Sequence, residues 1–165
     1  MSVIQVSVNQ SRIEIDHLHL EKAAQETLNA LGYIDAELSI AIVDDDEMTS
    51  LNRQYRGKDY TTDVLAFSMT EGEFSDIEPD MLGDVVISAS TADLIRRQNN
   101  VPLSAVLDLL LVHGILHLVG YDHERGGEQA QLMEKKTLEI MRLLGHRQTN
   151  LNWFLSNSAQ ALNRQ

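Results

Sequence analysis

The chain has 165 residues, of which 43% are hydrophobic and 23% charged, as is typical of one compact domain with its own core. No apolar run reaches the ~20 residues that a membrane-spanning helix requires, and the N-terminus lacks the features of an export signal, so we expect a cytoplasmic protein. The net charge of −12 argues against a protein that coats nucleic acids indiscriminately. Because the chain has no cysteine, any metal site must consist of imidazole and carboxylate groups.

Strand and helix patterns alternate through the first half of the chain. In order, they predict a strand over residues 2–8, a helix over 17–31, a strand over 37–43, a short helix through 51–55 and a strand over 64–69. We expect Asp46 or Thr49 to cap the short helix at its start and Gly57 to end it. The acidic loop that follows, with Gly72 and Pro79, is expected to be solvated.

Helices dominate the second half. The patterns predict a strand over residues 84–88, a helix over 90–98, a helix over 103–119 and a helix from about 128 to 144. Residues 103–119 are apolar on nearly every side, so this helix is predicted to be buried at the centre of the fold. A tail starts at about residue 146, and we expect its apolar cluster, Leu151, Trp153, Phe154 and Leu155, to dock as a short helix. Residues 1–165 are therefore predicted to form a single α+β domain with a roughly four-stranded sheet packed by helices.

The buried helix leads into the motif His113-Gly-Ile-Leu-His-Leu-Val-Gly-Tyr-Asp-His123. His113 and His117 are four residues apart, so their imidazoles lie on one face of the helix. Gly120 is expected to end the helix in a left-handed conformation, which brings His123 beside the other two. With six histidines in 165 residues, chance predicts roughly 0.007 occurrences of this spacing. Three imidazoles with a fourth position open to water are typical of a catalytic zinc site.

The zinc peptidases called metzincins have the same histidine spacing, with one difference. Those enzymes have a glutamate directly after the first histidine, where it acts as the general base. Here that position is Gly114. Because a peptidase mechanism would lack its base, the motif indicates a similar metal geometry with a different chemistry.

Positive charge is concentrated in residues 51–67. The basic and aromatic side chains of this segment are Arg53, Tyr55, Arg56, Lys58 and Tyr60. Such a set is suited to phosphate contacts and base stacking. By itself, however, such a set is more often a solvated helix end, where the cations interact favourably with the helix dipole. Asp84 is a further candidate for orienting a ligand, and Asp122 for supporting a histidine or acting as a base through water, but each is more often structural.

Together these segments resemble the YbeY family of bacterial endoribonucleases, also described as ribosomal RNA maturation factors. The matching motifs are the histidine motif, Tyr55-Arg-Gly-Lys-Asp59 followed by Thr62-Asp-Val-Leu65, and Leu82-Gly-Asp-Val-Val-Ile87. They occur in the family's order and cover most of residues 36–145, whereas the tail lies outside the resemblance. Thr61 replaces a proline that is frequent in the family, which changes the rigidity of a turn rather than the chemistry.

The resemblance implies a function and a cofactor. One metal ion, usually described as zinc, is expected on His113, His117 and His123. The implied activity is a single-strand-specific endoribonuclease that takes part in 3′-end maturation of small-subunit ribosomal RNA and in ribosome quality control. The implied partners are single-stranded ribosomal RNA and the small ribosomal subunit, without DNA or a membrane.

The family's functionally important arginine corresponds to Arg56. We expect Arg56 to act in catalysis by stabilising the negative charge that develops on the phosphate. Arg53 and Lys58 are expected to bind the flanking phosphates of the substrate. Because an acidic protein should bind free RNA weakly, selectivity is expected to depend on docking to the ribosome or to another partner.

Two alternatives stay open. Another zinc metallohydrolase, such as a peptidase or an amidase, would explain the histidines, but it leaves the basic segment unused and lacks the base at Gly114. A non-catalytic ribosome assembly factor with a structural metal would explain the missing base, but not an open coordination position. The residues determine neither the nucleophile nor the metal, because three imidazoles also accept nickel or copper.

Overall fold

The computed structural model describes residues 1–69, 81–121 and 127–154. In chain order its strands and helices are β1 (Val3–Val8), α1 (His17–Ala30), β2 (Glu37–Val43), α2 (Asp45–Arg56), β3 (Val64–Ser68), β4 (Met81–Ser88), α3 (Ala89–Asn99), α4 (Leu103–Leu118) and α5 (Gly127–Leu143). The predicted order of elements is confirmed in these ranges. The acidic loop around Gly72 and Pro79 lies outside the described residues.

The four strands form a mixed sheet in the order β1-β2-β4-β3. β1 pairs in parallel with β2, and β2 with β4. β3 pairs with β4 in the antiparallel direction and lies at the edge of the sheet. Parallel neighbours need a crossover connection rather than a tight turn, and α1 supplies the one between β1 and β2. The predicted α+β class with a four-stranded sheet is confirmed.

Helices cover the two faces of the sheet unequally. The larger core packs α1 and α4 against one face, which includes Ile40 and Val85. On the other face, a smaller cluster packs Met48 of α2 against Leu65 and Val86. Neighbouring residues of a strand point to opposite faces, so Val85 faces α4 and Val86 faces α2. The edge strand β3 therefore lies between α4 on one side and α2 on the other.

Helix α4 is buried along most of its length, and it contacts the sheet, α1, α3 and α5. This confirms the prediction of a buried central helix over residues 103–119. The helix is buried because nearly every position is apolar, so each side can pack against a neighbouring element. Within the part of the chain that the structure describes, no helix combines the length and the apolar character needed to cross a membrane.

The apolar cluster of the tail docks on α4 and α5. Leu151 is buried there, and Trp153 and Phe154 pack against the same apolar cluster. Residues 152–154 form one helical turn. The expected docking as a short helix is thus confirmed for these residues, whereas Leu155 lies beyond the described chain.

The predicted cap of α2 was wrong. Asp44, rather than Asp46 or Thr49, caps this helix, because Asp44 Oδ1 accepts a hydrogen bond from the backbone N–H of Glu47 at 2.8 Å. Consecutive acidic residues all suit a helix start, so local preference does not choose among them. Burial of Met48 against the sheet favours the observed register. Gly57 ends the helix as predicted, with φ 70°.

Candidate functional site

Helix α4 brings two of the predicted metal ligands together. The Nε2 atoms of His113 and His117 are 3.2 Å apart, and their ring centroids are 4.7 Å apart in an edge-on contact. Both side chains are half-buried. Phe154 of the docked tail packs edge-on against His113, with ring centroids 5.7 Å apart. The spacing of four residues within one helix is sufficient to produce this pair.

The geometry of the pair fits a shared metal ion. Zinc binds imidazole nitrogen at about 2.0–2.1 Å, so two nitrogens of a tetrahedral site are roughly 3.3 Å apart. The separation of 3.2 Å between the two Nε2 atoms is close to this value. Two neutral imidazoles at this distance share at most one proton between them, whereas a divalent ion would bind the lone pairs of both.

The third predicted ligand, His123, and the neighbouring Asp122 lie outside the described residues. In residues 1–69, 81–121 and 127–154, no group of three or more His, Cys, Asp or Glu side chains is arranged to hold a metal ion. Gly120, just after α4, has φ 104°, a left-handed conformation of the kind that the motif predicts. The chain therefore leaves the helix where the motif requires a change of direction.

Gly114 has a packing role that accounts for the missing peptidase base. A Cβ atom at this position would lie 2.7 and 3.1 Å from the two γ-carbons of Val85. Such distances are shorter than van der Waals contact, so even alanine would require the Val85 side chain, α4 or β4 to move. The position after the first histidine faces the sheet, and a glutamate has no room there.

The predicted basic residues lie around the end of α2. Arg53 and Arg56 are in its last turn, and Lys58 follows Gly57 in the loop to β3. All three side chains are exposed. Arg53 forms an ion pair with Asp59, with 2.5 Å between Nη2 and Oδ1 and 2.7 Å between Nε and Oδ1. The expected contact of Arg53 with phosphate therefore competes with an ion pair between α2 and the loop that follows it.

An aromatic contact joins this basic region to the edge strand. The ring of Tyr55 lies 4.8 Å from that of Phe67 in β3, on the face of the sheet that α2 covers. α4 packs on the other side of β3. The basic segment and the histidine pair consequently flank the same strand, which is only five residues long.

Asp84 lies on the same sheet face as Phe67. In the strand pairing it is opposite Phe67 of β3 and Ser39 of β2, and its side chain is exposed. Desolvation by neighbouring groups raises the pKa of Asp84, and a hydrogen bond with Ser39 partly opposes this. The structure thus gives Asp84 a serine as its hydrogen-bond partner.

A second histidine cluster was not predicted. His19 of α1 and His146 beyond α5 both contact Asp108 of α4, with Nε2–carboxylate distances of 2.9 and 2.7 Å. Asp108 is 1% exposed. Burial raises the pKa of Asp108, and the hydrogen bonds and charges of the two histidines partly oppose this. The available signal was a single carboxylate within the apolar run 103–119, because a buried carboxylate requires partners.

Comparison with known proteins identifies the family. The family model described as "Endoribonuclease YbeY" matches residues 5–145. The protein of that name from Syntrophus aciditrophicus is 39% identical over 142 residues, which cover 86% of this chain and 89% of that protein. The one from Geobacter sulfurreducens is 46% identical over 142 residues, or 86% and 95% of the two chains. The one from Aquifex aeolicus is 49% identical over 121 residues, or 73% and 76%.

A solved structure shares the fold. The solution structure of TM1509 from Thermotoga maritima matches with a TM-score of 0.61 at 24% identity, and the match covers 95% of each chain. The family match extends from β1 to Gly145, so it includes the sheet, the basic segment and the histidine motif. The chain therefore belongs to the YbeY family of endoribonucleases.

Proposed function

We propose that this protein is a metal-dependent endoribonuclease that cuts single-stranded RNA during 3′-end maturation of small-subunit ribosomal RNA and in ribosome quality control. Membership of a family named for endoribonuclease activity supports the RNA substrate. The observation that carries the metal dependence is the separation of 3.2 Å between the Nε2 atoms of His113 and His117. We place this activity in the cytoplasm.

His113, His117 and His123 would hold one zinc ion, since imidazole nitrogens suit this metal. When bound, the ion would supply Lewis acidity toward a phosphate oxygen or an attacking water. Helix α4 holds the first two ligands rigidly because its other sides are buried against the sheet and neighbouring helices. Phe154 covers part of His113 and limits its contact with solvent.

The basic segment would act on the phosphates. Arg56 would stabilise the negative charge that develops during cleavage, because a guanidinium donates several hydrogen bonds in one plane. Lys58, exposed in the loop after α2, would bind a flanking phosphate. Arg53 would contribute only where RNA displaces Asp59, since these two side chains form an ion pair. Position 114 supplies no general base, so the base must come from elsewhere.

The net negative charge of the protein favours a role for a second binding partner besides the RNA. At a net charge of −12, long-range electrostatics oppose binding to free RNA. Docking on the small ribosomal subunit would supply the affinity that the acidic body does not. Selectivity for ribosomal RNA would then come from this docking rather than from base contacts alone.

The test is cleavage of a labelled single-stranded RNA oligonucleotide by the full chain, purified without a histidine tag. We expect cleavage to stop on chelation, to return when zinc is added, and to be weak on a duplex of the same sequence. Casein and purified small ribosomal subunits serve as parallel substrates. RNA cleavage that persists after complete metal removal would contradict the metal dependence. Casein hydrolysis would favour the metallohydrolase alternative, and subunit binding without cleavage would favour the assembly factor.

A further inference from the structure

Asp45 joins α2 to the loop before β3 and to the junction of β4 and α3 through one carboxylate oxygen. Its Oδ1 accepts hydrogen bonds from the hydroxyl groups of Ser88 at 2.5 Å, Thr91 at 2.8 Å and Thr61 at 3.1 Å. Ser88 ends β4, Thr91 lies in α3, and Thr61 lies in the loop between α2 and β3. Asp44 caps α2, so the side chain of Asp45 is available for these contacts.

The three hydroxyls favour the ionised form of Asp45. Partial burial would raise the pKa of this carboxyl, but the hydrogen bonds from Ser88, Thr91 and Thr61 together lower the pKa below its ordinary value of 3.8. At neutral pH each contact is therefore a hydrogen bond to an anion, which is stronger than one between neutral groups. Ser88 and Thr91 hold the carboxylate beside the sheet, and Thr61 attaches the loop to it.

The loop that Thr61 attaches carries Lys58. Its first part is already bound to α2, because Lys58 N donates to Asn52 O at 3.3 Å and the buried Asn52 side chain donates to Tyr60 O at 2.8 Å. The contact between Thr61 and Asp45 holds the end of the same segment. The backbone around Lys58 is thus restrained on both sides, while its ammonium group remains exposed.

We propose that Asp45 is a positioning residue for RNA cleavage, because through Thr61 it holds the loop in the conformation in which Lys58 meets a phosphate of the bound RNA. This inference rests on the proposed function. Asp45 touches neither substrate nor metal in this scheme. Its effect is on substrate binding, since a loop that is ordered before RNA arrives does not have to be ordered on binding.

The test uses Thr61→Val, which keeps the shape of the side chain and removes only the hydroxyl, because Asp45→Ala would remove three hydrogen bonds at once. For cleavage of the single-stranded oligonucleotide, we expect Thr61→Val to raise KM about fivefold and to change kcat by less than about twofold. Thr61→Ser restores the hydroxyl and should restore the wild-type KM. In a Lys58→Gln background, Thr61→Val should have no further effect on KM, because both changes remove the same contact.

Thr49→Val is the matched control. The Thr49 hydroxyl also bonds to Asp45, but to its backbone oxygen, at 2.8 Å, and it holds no part of the loop, so KM should not change. Three results would each overturn the positioning role alone. They are an unchanged KM in Thr61→Val, an equal increase of KM in Thr49→Val, and additive effects of Lys58→Gln and Thr61→Val on KM. A wild-type protein that cuts no RNA would overturn the proposed function, and the positioning role with it.

Discussion

In the part of the chain that the structure describes, histidine side chains meet at two places, and the two places differ in their geometry. In α4, the Nε2 atoms of His113 and His117 face each other at 3.2 Å. At the second place, His19 and His146 both contact the buried carboxylate of Asp108. The first pair lies within one helix, whereas the second cluster joins α1, α4 and the chain beyond α5.

The difference distinguishes a candidate binding site from a structural link. The carboxylate of Asp108 has two imidazoles as hydrogen-bond partners, as a buried polar group requires. The Nε2 atoms of His113 and His117, 3.2 Å apart, are instead at the separation expected for two ligands of one tetrahedral ion. Proximity of histidines is therefore a weak indicator of a metal site, and the separation of their ring nitrogens and the groups that these nitrogens face are the informative features.

Removing one imidazole from each place gives the largest expected effect. We expect His117→Ala to lose its bound metal and to lower the rate of RNA cleavage by on the order of 100-fold or more, because the change removes a proposed ligand. His146→Ala should keep both the metal and the activity and lose only stability. Metal analysis and cleavage rates on untagged protein measure the contrast. Equal metal contents in the two variants would show that the histidine pair is not the binding site.

The position between the paired histidines provides the second prediction. Gly114→Ala should lower the free energy of unfolding by up to about 2 kcal/mol, because the new Cβ would lie 2.7 Å from a γ-carbon of Val85 and overpacking a core costs about 1–3 kcal/mol. This steric cost outweighs the gain of about 1 kcal/mol that alanine brings to a helix interior. Urea denaturation measures the change, and the same substitution in a Val85→Ala background should cost less. A more stable Gly114→Ala protein would mean that α4 lies farther from β4.

The smallest expected effect concerns the pH dependence of the Asp108 cluster. Burial is the main cause of the raised pKa of Asp108, with His146 and His19 opposing it. A carboxyl group with a raised folded-state pKa binds its proton more tightly in the folded state. Its contribution to stability is therefore complete below the unfolded value near 3.8 and is lost as the pH rises through the folded pKa.

Asp108→Asn removes this titration. We expect the unfolding free energy of the wild type minus that of Asp108→Asn to decrease as the pH rises from about 3 to 6. The decrease should be smaller than the loss of unfolding free energy caused by Gly114→Ala. Urea denaturation of both proteins at each pH provides the measurement, and Asp46→Asn at an exposed position in the first turn of α2 serves as a surface control. A difference that increases with pH would show that the two histidines lower the pKa of Asp108 by more than its burial raises it.

The sequence predicted the elements well where hydrophobic periodicity and glycines were decisive, as in α4 and at Gly57. It did not predict the cap of α2, because adjacent aspartates have equal local preferences. Of the functional residues, the histidine motif was visible because its members lie close together in the chain. The contacts of Asp108 were not visible, because its partners are 89 and 38 residues away.

The sequence by itself determined the pairing of His113 with His117, the basic segment and the resemblance to a family, because each depends on local spacing or on motif order. Only the tertiary structure decided what surrounds them. The strand order makes β3 an edge strand, and the alternation of its side chains puts α4 and α2 on opposite faces of it. The close packing of α4 on β4 explains why position 114 is a glycine. The meeting of three segments explains the hydrogen bonds of Asp45. These contacts depend on long-range packing, which local periodicity does not encode.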